Sequence, residues 1–321
     1  MKKLIEYISN IAKFESALFQ NNFSAQSYLH TYYPDKFDIN EYLNTSKILY
    51  NLFSKSNSLI EINSIKEETN LREEEIENIA ILNFLEKVVI YLLGKNKNNF
   101  LVLDVGGGPT IYQHIFNSLI AKCIIHTDFL EENRAEVIKW RDTTEGSYSW
   151  LSYIDLVKKI MESSNDINLK NYSKNIDTTS LRSRLKRKLK FIKFGDVFDF
   201  NLGLDEATIN YIKKNKGVDL LTSNFTVESA TSSTKRWVEG MINIINFVKV
   251  DGYISISAIS NAYWYQVGTK KLPAAAITLK DLTQFLKKHN FEIIFHYNLH
   301  GSEKEKVGYD GMLFVFARKV K

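Results

Sequence analysis

The sequence predicts an α/β protein: a seven-stranded, mostly parallel sheet with helices on both faces, preceded by a helical N-terminal segment. Three observations carry this. From residue 99 onward, short apolar runs alternate with amphipathic ones. The short runs are nearly continuous in Val, Ile, Leu and Phe, as strands buried on both faces are. Residues 1–95 read as helical and contain one glycine, Gly94. Strand–helix alternation of this kind is the pattern of a parallel sheet covered on both sides.

Taken in order, the strongest helix is predicted over 72–93. Its first turn, Arg72-Glu-Glu-Glu, places acids at the positive end of the helix dipole, its apolar residues recur at helical spacing, and Gly94 supplies a stop. Strands are expected at Phe100–Val105, Cys123–Thr127, Leu189–Phe194, Val218–Ser223, Tyr253–Ser257, Phe291–Tyr297 and Met312–Phe316. Helices are expected at 110–120, 131–141, 234–248 and 279–289, between several of those strands. The stretch 141–188 is polar and reads as an insertion between the second and third strands. The three prolines, Pro34, Pro109 and Pro273, mark no linker, and no internal repeat is apparent. The expected organisation is a helical lid or cap over 1–95 and a core over 96–321, forming one compact unit.

Composition narrows the function classes. Of 321 residues, 44% are hydrophobic and 25% charged, which is a globular balance that excludes a disordered chain. The single cysteine, Cys123, excludes an intrachain disulfide framework and a Cys-clustered zinc site, and at the start of a strand it reads as a buried small hydrophobe. No apolar run approaches the roughly 20 residues of a membrane span. Glu6 and Glu15 stand where a signal peptide needs an apolar stretch. A cytoplasmic protein is therefore expected. The net charge of +5 is local: residues 181–193 hold seven Lys/Arg and no acid, leaving the rest of the chain close to neutral. That run reads first as a solvated helix face, with an acidic partner or membrane surface as the sharper alternative. A nucleic-acid partner is not expected, and the oligomeric state stays open, with a monomer favoured.

The most informative segment is Leu101-Val-Leu-Asp-Val-Gly-Gly-Gly-Pro-Thr-Ile-Tyr112. A buried strand ends near Asp104, glycines turn the chain, and a helix follows, with Pro109 suited to a first turn. Twenty residues beyond Gly108, the next strand ends in Asp128, placed to accept both hydroxyls of an adenosine ribose. This much is common to dinucleotide and S-adenosylmethionine folds. The dinucleotide fingerprint requires a further glycine where Ile111 stands. Asp104, just before the glycines, is an acid expected near the ammonium of a sulfonium cofactor, which a pyrophosphate lacks. Both differences favour S-adenosylmethionine.

Four blocks then resemble the small-molecule methyltransferase family of nicotinamide, phenylethanolamine and indolethylamine (thioether) N-methyltransferases. Phe23-Ser-Ala-Gln-Ser-Tyr28-Leu-His-Thr-Tyr32-Tyr33 looks like its N-terminal lid, and Asp104-Val-Gly-Gly-Gly-Pro-Thr-Ile-Tyr112 is similar to its glycine signature. Thr127-Asp128 through Asn133, Lys139-Trp140 and Tyr148-Ser-Trp150 form a third block, and Leu220-Leu-Thr-Ser-Asn224-Phe-Thr-Val-Glu228 with Tyr263-Trp264-Tyr265-Gln-Val-Gly268 a fourth. The blocks span about residues 23–318. The resemblance implies a Rossmann-like class I methyltransferase fold. It places Tyr28 and Tyr33 on the methionine end of the cofactor. Gly106, Gly107, Gly108, Thr110 and Tyr112 would line it, with Asp128 and Asn133 on ribose and adenine, Asp196 and Val197 beside the adenine amino group, and Asn224 on the methionine portion. S-adenosylhomocysteine would be the product. Without the glycine turn, Tyr28, Tyr32 and Tyr33 read as an aromatic helix face.

For the acceptor, Glu228 follows the fourth strand and is the candidate base or amine contact; its plainer reading is a loop carboxylate capping the next helix. Tyr32, Phe225, Ala258, Asn261, Ala262 and Tyr265 are the candidate substrate residues. The family's acids after the fifth strand and before the aromatic pair fall here on Ala258 and Ala262. With Ser257, Ser260 and Asn261 neutral and Tyr263, Trp264 and Tyr265 aromatic, an uncharged, flat or apolar acceptor is expected. No metal is expected: His296 and His300 form a pair without a third ligand. There is no Gly-x-Ser-x-Gly elbow and no Walker A loop. The leading function is methyl transfer from S-adenosylmethionine to a small molecule, at nitrogen, by in-line displacement. Oxygen or sulfur acceptors stay open, as do RNA or protein substrates, although 224–227 lacks the Asn-Pro-Pro-Tyr-type motif. So does a noncatalytic cofactor-binding protein.

Overall fold

The computed structural model describes residues 17–34, 36–54, 59–95, 99–301 and 304–321. Glu6 and Glu15, on which the leader expectation rests, lie outside them. The strands are β1 (Leu59–Glu61), β2 (Phe100–Val105), β3 (Ala121–Asp128), β4 (Leu189–Phe194), β5 (Val218–Asn224), β6 (Val248–Ile259), β7 (Trp264–Val267), β8 (Lys270–Pro273), β9 (Phe291–His300) and β10 (Gly311–Lys319). In the N-terminal half the helices are α1 (Ala25–Tyr32), α2 (Ile39–Ser54), α3 (Ile62–Lys66), α4 (Glu73–Gly94), α5 (Gln113–Ile120) and α6 (Glu131–Arg141). They continue with α7 (Leu151–Ser163), α8 (Ile167–Lys174), α9 (Thr178–Lys188), α10 (Glu206–Lys214), α11 (Thr234–Ile245), α12 (Leu279–Lys288) and α13 (Lys304–Val307).

Eight strands form one sheet in the order β1-β9-β10-β6-β5-β2-β3-β4, with only β10 antiparallel to its neighbours. All seven expected strands are present. The eighth, β1, pairs in parallel with β9 over three residues, too short a segment to show a period. β7 and β8 form a separate antiparallel pair. Successive side chains of β2 serve opposite faces: Phe100 and Val102 join one core, Leu101, Leu103 and Val105 the other. The first core is closed by α2, α4, α5 and α7–α9, the second by α10–α12. This two-sided burial explains the uninterrupted apolar strands.

α4 is buried nearly all round, so its residues meet the sheet on one side and α2 on the other. Its capping box, with Glu75 accepting from the Arg72 backbone, fixes where it starts. The stretch 141–188 folds as α7, α8 and α9, whose Tyr153, Ile154, Leu156, Leu169, Leu181 and Leu185 enter the first core. Its polarity belongs to the outer faces of those helices. Part of the basic run is likewise structural. Arg184 donates to the carbonyls of Ser118 (2.9 Å) and Leu119 (3.1 Å), satisfying the open end of α5, and Lys186 lies over the Trp140 ring. Among the described residues, no helix is long and apolar enough to cross a membrane.

β3 and β4 extend the sheet to one side of β2, β5 and β6 to the other. The order therefore reverses between β2 and β5, where ligands of open α/β sheets bind beyond the strands' carboxyl ends.

Candidate active site

A cavity of about 280 Å³ opens at that switch point. Its floor is the turn after β2. Gly106 and Gly108 both have φ near +64°, a region that disfavours side chains. A Cβ on Gly106 would strike the Thr226 side chain, and one on Gly107 would strike the Asp104 carboxylate and the His126 ring. The turn is clamped from several sides: Gly107 N donates to Thr127 O (2.9 Å), and the Thr226 hydroxyl lies 3.0 Å from the carbonyls of both Val105 and Gly106.

Asp128 ends β3 with its carboxylate at the cavity. It accepts from Gly108 N, Leu130 N and Asn133 Nδ2, each at 2.9 Å. Burial nevertheless raises its carboxyl above the ordinary value, the donors only offsetting part of that cost. Further hydroxyl donors therefore suit it. Asn133 Oδ1 is buried without a partner among the described residues, and so are both side-chain polar atoms of Asn224, at the end of β5. Three orphaned polar atoms around one cavity mark a site built for a polar ligand. Asp196 and Val197 also line this end; Asp196 accepts from Phe198 N (2.9 Å).

The roof is α1. Its Ser24 cap and the Glu132 carboxylate, which accepts from Ala25 N (2.8 Å), set its start over α6. At its other end the Tyr32 hydroxyl donates to Gln266 O of β7 (2.9 Å). Tyr28 packs against Tyr32 and Tyr33 with ring centroids 5.0 and 6.1 Å apart, and Tyr33 reaches the Tyr112 hydroxyl at 3.4 Å. Burial pushes the Tyr28 hydroxyl up to about 12, so these phenols stay neutral. Tyr28, Tyr33, Gly106, Gly107, Gly108, Thr110, Tyr112, Asp128, Asn133, Asp196, Val197 and Asn224 all border the cavity.

Asp104 is the exception among the expected cofactor residues. Its carboxylate turns away from the cavity into the interior, fully buried. Oδ1 accepts from the Thr222 hydroxyl (2.6 Å), and Oδ2 lies 3.2 Å from His114 Nε2, 3.3 Å from His126 Nδ1 and 3.4 Å from Gln113 Nε2. Burial alone would raise its carboxyl, but the two histidines outweigh that and hold it far below the usual range. Asp104 thus joins β2, β3, β5 and α5. His114 and His126, twelve residues apart, carry no signal in the sequence, since neither spacing nor neighbours set them apart. His296 and His300, the pair that spacing does suggest, both lie on β9.

The acceptor end also differs from expectation. Tyr32, Phe225 and Tyr265 line the cavity. Ala258, Asn261 and Ala262 do not. Ala258 lies in the second core, paired with Leu313; Ala262 is packed with Ile259, Ala274 and Tyr309; Asn261 Nδ2 donates to Asp310 Oδ2 (2.8 Å). Tyr263 is 65% exposed, and the Trp264 ring is covered by Lys271. Instead, one face of α4 (Glu74, Glu77, Asn78 and Ile81) supplies the wall, together with Tyr309. This end carries carboxyl groups, contrary to the uncharged lining that Ala258 and Ala262 imply. Phe225 holds φ +54°, unusual for an aromatic residue, with its N–H bonded to Ser257 O (2.8 Å).

Glu228, the candidate base, stands behind the wall rather than in it. Its Oε1 accepts from Ile259 N (3.0 Å), at the end of β6. Burial pushes its carboxyl up to about 7, against backbone N–H donation. Because an unfolded glutamate titrates near 4.3, the unfolded chain releases this proton first as pH rises. The favourable contribution is full below about pH 4.3 and is lost as pH climbs through about 7. Between pH 5 and pH 8, the wild type is expected to lose about 3 kcal/mol of stability that Glu228→Gln does not lose. Denaturant unfolding of both proteins at the two pH values checks this; parallel losses would mean the carboxyl titrates normally.

The mostly parallel sheet, covered by helices on both faces and open in a crevice at its switch point, is a Rossmann-like class I methyltransferase fold. The chain matches the NNMT/PNMT/TEMT family model over residues 66–320, and it belongs to that family. The family uses S-adenosylmethionine. Phenylethanolamine N-methyltransferase from Macaca mulatta is 24% identical over 193 residues, 60% of this chain and 62% of that enzyme, so less than two thirds of the relative is matched. Indolethylamine N-methyltransferase from Oryctolagus cuniculus is 23% identical over 219 residues, 68% of this chain and 76% of the relative. Among solved structures, an S-adenosylmethionine-dependent methyltransferase from Clostridium acetobutylicum ATCC 824 aligns with a TM-score of 0.42 at 10% identity, covering 74% of this chain and 91% of that one.

Proposed function

We propose that the chain transfers a methyl group from S-adenosylmethionine to a nitrogen of a small-molecule acceptor. The observation that carries this is the set of polar groups left open around the glycine turn. The Asp128 carboxylate, the unpartnered Asn133 Oδ1 and the unpartnered Asn224 amide face one cavity beneath the tyrosines. Family membership and the N-methyltransferase relatives support the reaction type.

When bound, the cofactor supplies an electrophilic methyl on a sulfonium centre, displaced in line by the acceptor. The chain's part is to hold and to exclude. Asp128 takes the ribose hydroxyls, and Asn133 supports it. Asp196 and Val197 flank the base, and Asn224 meets the amino-acid portion. Tyr28, Tyr33 and Tyr112 close the site against water and present ring faces to a cation. Positioning of this kind contributes about 7–11 kcal/mol of barrier reduction in well-oriented reactions. Glu228 serves as a positioning residue that ties the corner after β5 to β6. The described residues before 96 and the remaining core work as one unit in a cytoplasmic, monomeric protein.

Calorimetry with S-adenosylmethionine, followed by S-adenosylhomocysteine formation with amines, azaheterocycles, phenols and thiols, tests the reading. Turnover of nitrogen compounds is expected. Turnover of phenols or thiols alone would overturn the nitrogen assignment, and absence of cofactor binding would overturn the whole reading.

A further inference from the structure

Resting on that reading, we propose that Glu77, held by Tyr309, selects an acceptor bearing a basic amine nitrogen. Glu77 lies one turn inside α4, is only 2% exposed and lines the cavity. Its Oε2 accepts from the Tyr309 hydroxyl at 2.9 Å. Its Oε1 is buried and has no hydrogen-bond partner among the described residues. A buried carboxyl oxygen is costly to leave unpaired, and a fixed partner on the other oxygen holds it in one orientation. Such a group is completed by a ligand that donates an N–H.

Position separates this acid from the cofactor's. Asp128 ends β3, whereas Tyr309 and Met312 border the cavity beside β10. β10 and β3 are four strand spacings apart in the sheet, roughly 19 Å. Glu77 therefore stands at the far end of the cavity from the nucleoside cradle, where the acceptor lies. Lys66 pairs with Glu73, one turn earlier in α4, at 3.8 Å and does not line the cavity. Glu74, on the same face of α4, and Tyr32 also border the cavity, and Arg236, the lining cation, is stacked over Phe198 at 3.9 Å. Burial first, then the nearby acids Glu73 and Glu74, hold the Glu77 carboxyl well above the ordinary value, with Tyr309 only partly opposing them. An ammonium arriving at Oε1 pairs with the carboxylate, and the proton this burial favours on the empty carboxyl goes to solvent.

The test uses the full chain saturated with S-adenosylhomocysteine. A series of arylalkyl amines, beginning with 2-phenylethylamine, is titrated beside the matching alcohols, beginning with 2-phenylethanol. The wild type is expected to bind amines at least about 10-fold more tightly than their alcohols. Because burial raises the empty carboxyl, amine binding should also release protons, read as heat differing between buffers of unlike ionisation enthalpy. Glu77→Gln, which keeps an acceptor for Tyr309, should abolish both the preference and the proton release. Its affinity for S-adenosylhomocysteine should stay within about 2-fold of the wild type. An amine preference that survives Glu77→Gln, or a wild type that prefers no amine of the series, overturns this inference alone. Failure of the wild type to bind S-adenosylhomocysteine overturns the methyltransferase reading and this inference with it.

Discussion

Replacing Asp104 by alanine is expected to cost about 3–5 kcal/mol of folding stability, the range for removing one partner of a buried charged network. The carboxylate is the shared acceptor for the Thr222 hydroxyl and the Gln113 amide, with His114 and His126 at 3.2 and 3.3 Å. Without it, the buried Thr222 hydroxyl loses its acceptor, while Gln113 keeps the carbonyls of Gly107 and Thr110 and the two histidines face each other at 3.1 Å. Thr222→Val should cost less, about 1 kcal/mol, because it removes a single neutral donor. Denaturant unfolding of the variants measures both. A loss below about 1 kcal/mol in Asp104→Ala would show that the histidines satisfy each other. The pH dependence has the opposite sign to that of Glu228. The Asp104 carboxyl is depressed by the histidines, so its stabilisation is full above about pH 4 and is lost only as pH falls through the lower folded value.

Asp128→Ala is expected to weaken S-adenosylmethionine binding about 100-fold, or ~2.8 kcal/mol at 1.4 kcal/mol per decade. Two hydroxyls bonded to a carboxylate are worth this much, hydrogen bonds to a charged group contributing about 1.5–3 kcal/mol each. The same carboxylate also organises Gly108, Leu130 and Asn133, so Asp128→Asn separates the effects. Asparagine keeps one acceptor for the local chain while removing the charge, and its affinity should fall between wild type and alanine. Unchanged calorimetric affinity in Asp128→Ala would remove the ribose assignment.

The parts of the site that sequence made legible are those whose chemistry is local. The glycines after β2 must be glycine for backbone reasons, and Asp128 follows at the spacing of one strand–helix–strand unit. The tyrosines of α1 could be placed only through resemblance, because an aromatic helix face alone also suits a core. What stayed hidden was direction. Asp104 sits beside the turn in sequence, yet its side chain turns from the cavity into the interior among Thr222, His114 and His126. Ala258, Asn261 and Ala262 follow the right strand but pack beneath the cavity or against β10. Glu74 belongs to the acidic helix start, which the dipole explains without a ligand, and Glu77, one turn inside, carries no signal of its own in the sequence. That explanation concealed the face they share with Asn78 and Ile81. Likewise 141–188 is polar in sequence because its helices bury a single stripe each. Tertiary packing, not local pattern, decides all of these.

The clamps on the glycine turn bear on recognition in one more way. Thr226, Thr127 and Asp128 each hold a peptide group of residues 105–108. Ordering a backbone residue takes about 1–2 kcal/mol of conformational entropy, and here that ordering is completed when the sheet assembles. A nucleoside arriving at the turn meets a backbone already fixed in place, so association loses only the freedom of the ligand and of the side chains that close over it. The three glycines, the most mobile residues of the unfolded chain, are thereby held in place before any ligand arrives.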